Sequence, residues 1–207
     1  MPESHPFAPA APHRKPIRPT RRPRKMVECS LMETAPVIPV FVASYDSPLG
    51  GITLASDGHA LTGLWFDGQR HDRATLGDQP TVRQDLPVFH RARAWLDLYF
   101  RGSVPPFTPP LLIHGSDFRR LVATIMLDIP FGRTTTYGTI AREVARRTGR
   151  PHISAQAVGQ AVGHNPIALI VPCHRVVGHD GRLTGYAGGL ERKQWLLKHE
   201  KRTGSSL

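Results

Sequence analysis

Cys173 stands in the run Ile170-Val171-Pro172-Cys173-His174-Arg175-Val176-Val177, between a proline and a histidine, with apolar residues on both sides. A thiol attacks carbon only as its thiolate. With a free pKa of about 8.5, it needs a basic or cationic neighbour to react near neutral pH. His174 and Arg175 are such neighbours in sequence. The apolar flanks and the proline predict a strand ending in a rigid turn that holds the thiol against a core. The same pattern also describes a buried, inert cysteine, so the chemistry depends on what the remaining elements bring to this turn.

Those elements fall into two groups. From Val40 onward, short apolar runs alternate with turn residues: Phe41 to Tyr45, the cluster Asp46-Ser47-Pro48-Leu49-Gly50-Gly51, Ile52 to Ala55, a turn at Asp57-Gly58, and Leu61 to Phe66. This predicts a small antiparallel meander. Phe89, Ala92, Leu96 and Tyr99 recur at helical spacing and place one helix on that sheet. Four prolines between Val104 and Pro110 read as a linker. Beyond it, Asp117 can cap a helix with Phe118, Leu121, Val122, Ile125 and Met126 inward. A second helix spans about 136 to 147, and a third is capped by Ser154 and ends at Gly163. The last pair fits a helix-turn-helix, a weak pattern by itself. A glycine-rich loop, Thr184 to Gly189, and a final helix from Leu190 to Lys201 follow.

Composition narrows the function classes. The 207 residues carry 27 Lys and Arg against 16 Asp and Glu, a net charge of +11, which favours a polyanion such as nucleic acid. Residues 1 to 25 hold seven basic residues, one acidic residue and seven prolines. The segment 1–38 is expected to be a disordered basic tail, read either as a loose arm for DNA phosphates or as a solvated tail without a partner. Two cysteines, Cys29 and Cys173, make no disulfide framework and sit in no paired metal-ligand spacing. No apolar run is long enough for a membrane span, and no signal-peptide core is present. The expectation is a cytoplasmic protein with no membrane partner, no metal and no cofactor.

The order of these pieces resembles the O6-alkylguanine-DNA alkyltransferases, or methylated-DNA–protein-cysteine methyltransferases. The resemblance is carried by Pro172-Cys173-His174-Arg175-Val176-Val177, Gly163-His164-Asn165-Pro166, Thr184-Gly185-Tyr186-Ala187-Gly188-Gly189-Leu190 and Trp195-Leu196-Leu197-Lys198-His199-Glu200. Upstream, Pro130-Phe131-Gly132 with Thr136-Tyr137, Asp46 to Gly50, and Leu61 to Phe66 also look like the family. The resemblance implies an α/β (α+β) fold. A small N-terminal antiparallel sheet with a helix, ribonuclease H-like, spans 39–108 with its linker. A helical, winged helix-turn-helix-like domain over 109–201 carries the cysteine, and a short tail of 202–207 follows.

It also implies an activity: irreversible, single-turnover transfer of an alkyl group from O6-alkylguanine, and from O4-alkylthymine, in double-stranded DNA to the protein's own cysteine. The damaged base would be flipped out through the minor groove, with the protein a monomer. By this resemblance Cys173 is the acceptor, His174 the base acting through a water, and Glu200 the carboxylate that orients the histidine. Asn165 ties the helix-turn-helix to the cysteine loop, and Tyr137 is the candidate proton donor to the guanine. Read without the resemblance, Glu200 is a solvated helix end, Asn165 an ordinary Asn-Pro turn and Tyr137 a core tyrosine. DNA contacts are expected from Ala155, Gln156, Gly159, Arg175, Tyr186, Ala187 and Gly188. The chain departs from the family where an arginine commonly fills the hole left by the flipped base: here the residue is Gln156, which lacks the charge and the planar fork. The segment from Tyr137 to Gln156 also looks longer than usual. Three rival readings remain: a non-enzymatic lesion-binding protein of the same fold, a transcription regulator and a cysteine hydrolase.

Overall fold

A computed structural model describes residues 40–71, 73, 76 and 80–204. The basic tail and Cys29 lie outside the described residues. Strands β1 (Phe41–Ser47), β2 (Gly50–Ser56) and β3 (Leu61–Phe66) form the expected meander. The β1–β2 turn is closed by Ser47, whose hydroxyl donates to the Gly50 carbonyl at 2.6 Å and accepts from the Leu49 N–H at 3.1 Å. A two-residue strand β4 (Thr81–Val82) adds in parallel to the far side of β1, giving the order β3-β2-β1-β4. It is too short to leave a periodic signal in sequence.

Helix α1 (Pro87–Phe100) lays Val88, Phe89, Ala92, Trp95, Leu96 and Tyr99 onto the sheet. Every residue of β3 is buried, which the alternation typical of a one-faced sheet would not produce. On its second face the Trp65 ring folds over Gly63, and its outer edge is covered as well. Leu61 exchanges backbone hydrogen bonds with Pro110 and Leu112 at 2.8 Å. The Leu64 N–H donates to Pro166 at 2.8 Å, and the Ala168 N–H donates to Leu64 at 2.9 Å. The segment leading to Cys173 is therefore fastened to the central sheet. Each Leu or Phe fully buried this way contributes about 1.5–3 kcal/mol.

Helices α2 (Asp117–Leu127), α3 (Tyr137–Thr148) and α4 (Ala155–Gly163) pack on one another. The cap of α2 is Ser116, whose side chain accepts from the Arg119 N–H, rather than the expected Asp117, which is the first helical residue. Thr136 and Ser154 cap α3 and α4, and α3 ends at Gly149 in the left-handed conformation. The apolar run before Cys173 is a compact turn instead of the expected strand. Leu169 takes φ 65°, and Pro172, at φ −82° and ψ 63°, closes an inverse γ-turn with the Cys173 N–H on Val171 at 2.8 Å. Cys173–Arg175 then form one 3₁₀ turn, and β6 (Val176–Val177) pairs in parallel with β5 (Thr135–Thr136). Helix α5 (Leu190–Gly204) runs past its expected end at Lys201.

Candidate active site

Glu200, on α5, is where four parts of the chain converge. Its carboxylate accepts from His174 Nε2 at 2.7 Å, from Tyr99 Oη of α1 at 2.8 Å and from the Gly132 N–H at 3.0 Å. Arg175 donates from Nε at 2.9 Å and from Nη2 at 3.1 Å. Gly132 is required here on two grounds. Its φ is +72°, and a Cβ would lie 3.2 Å from the Glu200 carbonyl oxygen. Burial alone would raise the Glu200 carboxyl, but hydrogen bonds and charge from His174 and Arg175 outweigh it and hold the pKa down to about 2. Tyr99→Phe removes one donor from a buried carboxylate. The expected loss is about 1.5–3 kcal/mol in urea unfolding, with the His174 and Arg175 contacts to Glu200 staying in place.

The protonation pattern of His174 follows from its partners. A carboxylate only accepts, so Nε2 carries the hydrogen and the lone pair sits on Nδ1. Nδ1 is buried and has no hydrogen-bond partner among the described residues. Burial lowers the imidazole pKa more than Glu200 raises it, so His174 rests neutral and basic at Nδ1. A base of lowered pKa stays deprotonated on acidification. At about pH 6.5, where an ordinary imidazole is half protonated, His174 is expected to remain neutral and to take up its proton only below that, in an NMR pH titration of its ring.

Cys173 Sγ accepts from Asn165 Nδ2 at 3.1 Å, and the same amide donates to the Val171 carbonyl at 2.8 Å. The Asn165 carbonyl oxygen in turn accepts from the Ile167 N–H at 3.1 Å, so its orientation is fixed. Burial pushes the thiol pKa up, opposed by the Asn165 hydrogen bond and the Lys193 charge. The thiol is thus protonated at rest, and a base must take its proton. Lys193 is fully buried on α5, with Nζ donating to the Val176 and Thr184 carbonyls at 2.7 and 2.8 Å. Burial lowers its pKa to about 8, so it still carries a cation at neutral pH.

A cavity of about 830 Å³ opens beside this centre. One wall is the face of α4 bearing Gln156, Gly159, Gln160 and Gly163, and the opposite wall is the loop from Thr184 to Ala187. Cys173 is not on the lining, but Tyr137 and Tyr186, close enough to feel the charge of its thiolate when it forms, are. Burial raises the Tyr137 pKa, so its hydroxyl keeps its proton at neutral pH, and it lies 3.1 Å from Thr184 Oγ1.

Two family models cover this architecture: the ribonuclease-like domain of 6-O-methylguanine DNA methyltransferase matches residues 40–113, and the DNA binding domain matches residues 117–202. The chain belongs to the 6-O-methylguanine DNA methyltransferase family. A methylated-DNA–protein-cysteine methyltransferase of Mycobacterium tuberculosis is 44% identical over 156 residues, 75% of this chain and 89% of the relative. One from Haemophilus influenzae is 37% identical over 163 residues, 78% of this chain and 87% of the relative. A crystal structure of the M. tuberculosis protein in complex with DNA superposes with a TM-score of 0.67 at 43% identity, covering 79% of this chain and 94% of that one. The mixed α/β fold, with an N-terminal antiparallel sheet and a helical C-terminal part, matches these methyltransferase structures.

The geometry places the expected residues unevenly. Cys173, His174, Asn165 and Glu200 are brought together, with Tyr137 on the adjoining cavity wall. Ala155, Gln156, Gly159, Tyr186 and Ala187 also line the cavity. Arg175 requires correction as a DNA contact. It is buried, with its guanidinium on Glu200, on the Ile129 carbonyl at 2.6 Å and over the Phe131 ring, so its charge is neutralised inside the protein. Gly188 is likewise buried and off the lining. A Cβ there would meet the Tyr186 ring at 2.7 Å and Phe66 at 3.2 Å, so its smallness serves packing. Tyr99 and Lys193 were missed. A signal for Lys193 exists in the spacing: Lys193, Leu196 and Glu200 share one face of α5, and all three are fully buried. Among the described residues no cluster of His, Cys, Asp or Glu is placed to hold a metal ion, and no helix is long and apolar enough to cross a membrane.

Proposed function

We propose that the protein repairs DNA by moving the alkyl group of O6-alkylguanine, and of O4-alkylthymine, onto Cys173. The observation that carries this reading is the buried His174 Nδ1, a base with its other nitrogen locked on Glu200, next in chain to a buried thiol held by Asn165. In the proposed step the Cys173 proton passes through a bridging water to Nδ1. The thiolate attacks the alkyl carbon and a C–S bond forms. The C–O6 bond breaks and its electron pair stays on the guanine, which takes a proton from Tyr137. The product thioether is not a leaving group, so nothing in the cycle regenerates the thiol and each molecule acts once.

A base inside a duplex cannot reach a thiol buried in a protein, so the nucleotide must leave the stack at a cost of about a few kcal/mol. The cavity beside Tyr137 supplies a place for it. The exposed α4 face, with Gly159 and Gly163 small and Gln156 projecting, suits close approach through the minor groove. In this reading 39–108 is the scaffold, and 109–201 binds DNA as a monomer and accepts the alkyl group. Intact mass after incubation with a duplex carrying one O6-methylguanine tests it. The expected gain is one methyl group per molecule and never two; unchanged mass with the lesion consumed, or repeated turnover, would reject it. An O4-methylthymine duplex run in parallel decides the second substrate.

A further inference from the structure

The cavity has a third wall, contributed by the turn that follows β3, and this wall carries the only lysine or arginine on the described lining, Arg70. We propose that Arg70 binds a backbone phosphodiester of the DNA beside the nucleotide that enters the cavity, supplying positive charge next to an α4 face that carries none. The inference rests on the DNA alkyl-transfer reading above.

The turn is held at three points. Gln69 is buried, its Oε1 accepting from the Phe66 N–H at 3.0 Å while its own N–H returns to the Phe66 carbonyl at 3.1 Å. The Arg70 N–H donates to the Ala187 carbonyl at 3.0 Å, joining the turn to the glycine-rich loop. His71 takes φ 59°, a left-handed conformation that a non-glycine residue keeps only where its surroundings hold it. In that conformation its ring stacks on His164, at 4.7 Å between centroids and 26° between planes. His164 caps the end of α4, and its Nδ1 donates to the Gln160 carbonyl at 2.7 Å, so the stack is anchored on the helix. The turn thus braces the other two walls against each other.

Against this fixed backbone the Arg70 side chain is exposed and makes no hydrogen bond or ion pair with any described residue. Arg73 and Arg192, by contrast, are engaged, Arg73 on Asp67 and Arg192 on the Leu49 and Gly188 carbonyls. The cavity face of α4, Gln156, Gly159, Gln160 and Gly163, is uncharged. A nucleotide entering between these walls brings an anionic backbone that must be met at the rim. A guanidinium on a rigid backbone, with its planar fork unoccupied, matches a phosphodiester in charge and geometry.

The test measures binding of a duplex carrying one O6-methylguanine as a function of salt, in a Cys173→Ser background that holds the complex before transfer. Arg70→Ala is expected to weaken binding by about 5- to 10-fold near 0.1 M salt and to lower the slope of log K against log salt by about 0.9; Arg70→Lys should keep the slope. Both variants retain the backbone tether and should melt with the parent protein. Replacing single phosphodiesters around the lesion with neutral methylphosphonates locates the contact: at one position the loss should match that of Arg70→Ala, and combining the two should add nothing. An unchanged slope in Arg70→Ala overturns the proposal, as do losses that multiply at every position. A loss specific to the lesion duplex with the slope intact also overturns it, because it puts Arg70 on the base. The alkyl-transfer reading fails separately, by an unchanged mass of the wild-type protein, whatever the binding experiment gives.

Discussion

Cys173→Ser is expected to lower methyl transfer at least about 10³-fold while leaving lesion binding within a few-fold of wild type. A serine hydroxyl keeps the Asn165 hydrogen bond and nearly the same volume, so the turn around it should stand. What is lost is the thiolate, because the neutral His174 can take a proton from a thiol but not generate a useful alkoxide for attack on an unactivated alkyl carbon. Single-turnover quench assays with a labelled methyl group measure the first effect, and gel shift or anisotropy the second. Residual transfer within tenfold of wild type would place the acceptor elsewhere.

The second large effect is at Glu200. Glu200→Ala should cost about 3–5 kcal/mol in urea unfolding, because Arg175 is left as a buried, uncompensated cation. Transfer should also fall about 10²–10⁴-fold, since His174 loses the group that fixes its hydrogen on Nε2. Glu200→Gln separates charge from shape and should lie between the two. The pH dependence has a defined sign. The folded carboxyl titrates near 2 against 4.5 for the free group, so its stabilisation is complete above about pH 5 and is lost as the pH falls through that window. The Gln variant should lack that slope. A wild-type stability profile flat from pH 5 to 2 would mean that the ion pair carries no net charge linkage.

Much of this was legible in the sequence. The meander was readable because its strands are separated by Ser-Pro and Asp-Gly turns, and α1, α3 and α4 because their apolar residues recur at helical spacing. The Cys-His pair was legible as chemistry, and the distant Glu200 only through resemblance, since no local rule links a helix end to a histidine 26 residues earlier. The failures have physical causes. The run before Cys173 looked like a strand because burial on all sides gives a strand and a compact turn the same apolar composition. Arg175 looked like a DNA contact because charge in sequence does not say whether its partner is solvent, phosphate or a buried carboxylate. Tyr99 read as core, which it is. Its hydroxyl partner lies 101 residues away, and nothing short of the fold could reveal it.

The convergence on Glu200 also sets an order of events during synthesis. Cys173 and His174 are made before the carboxylate that completes their relay, and α5 must then dock against α1 and the Gly132 turn before His174 acquires its tautomer. A growing or partly unfolded chain therefore carries an ordinary solvated thiol, with no relay to take its proton and no cavity to hold a base against it. The acceptor can be used only once, so burial lowers the thiol's general reactivity on folding while the docked relay reserves that single use for what enters the cavity.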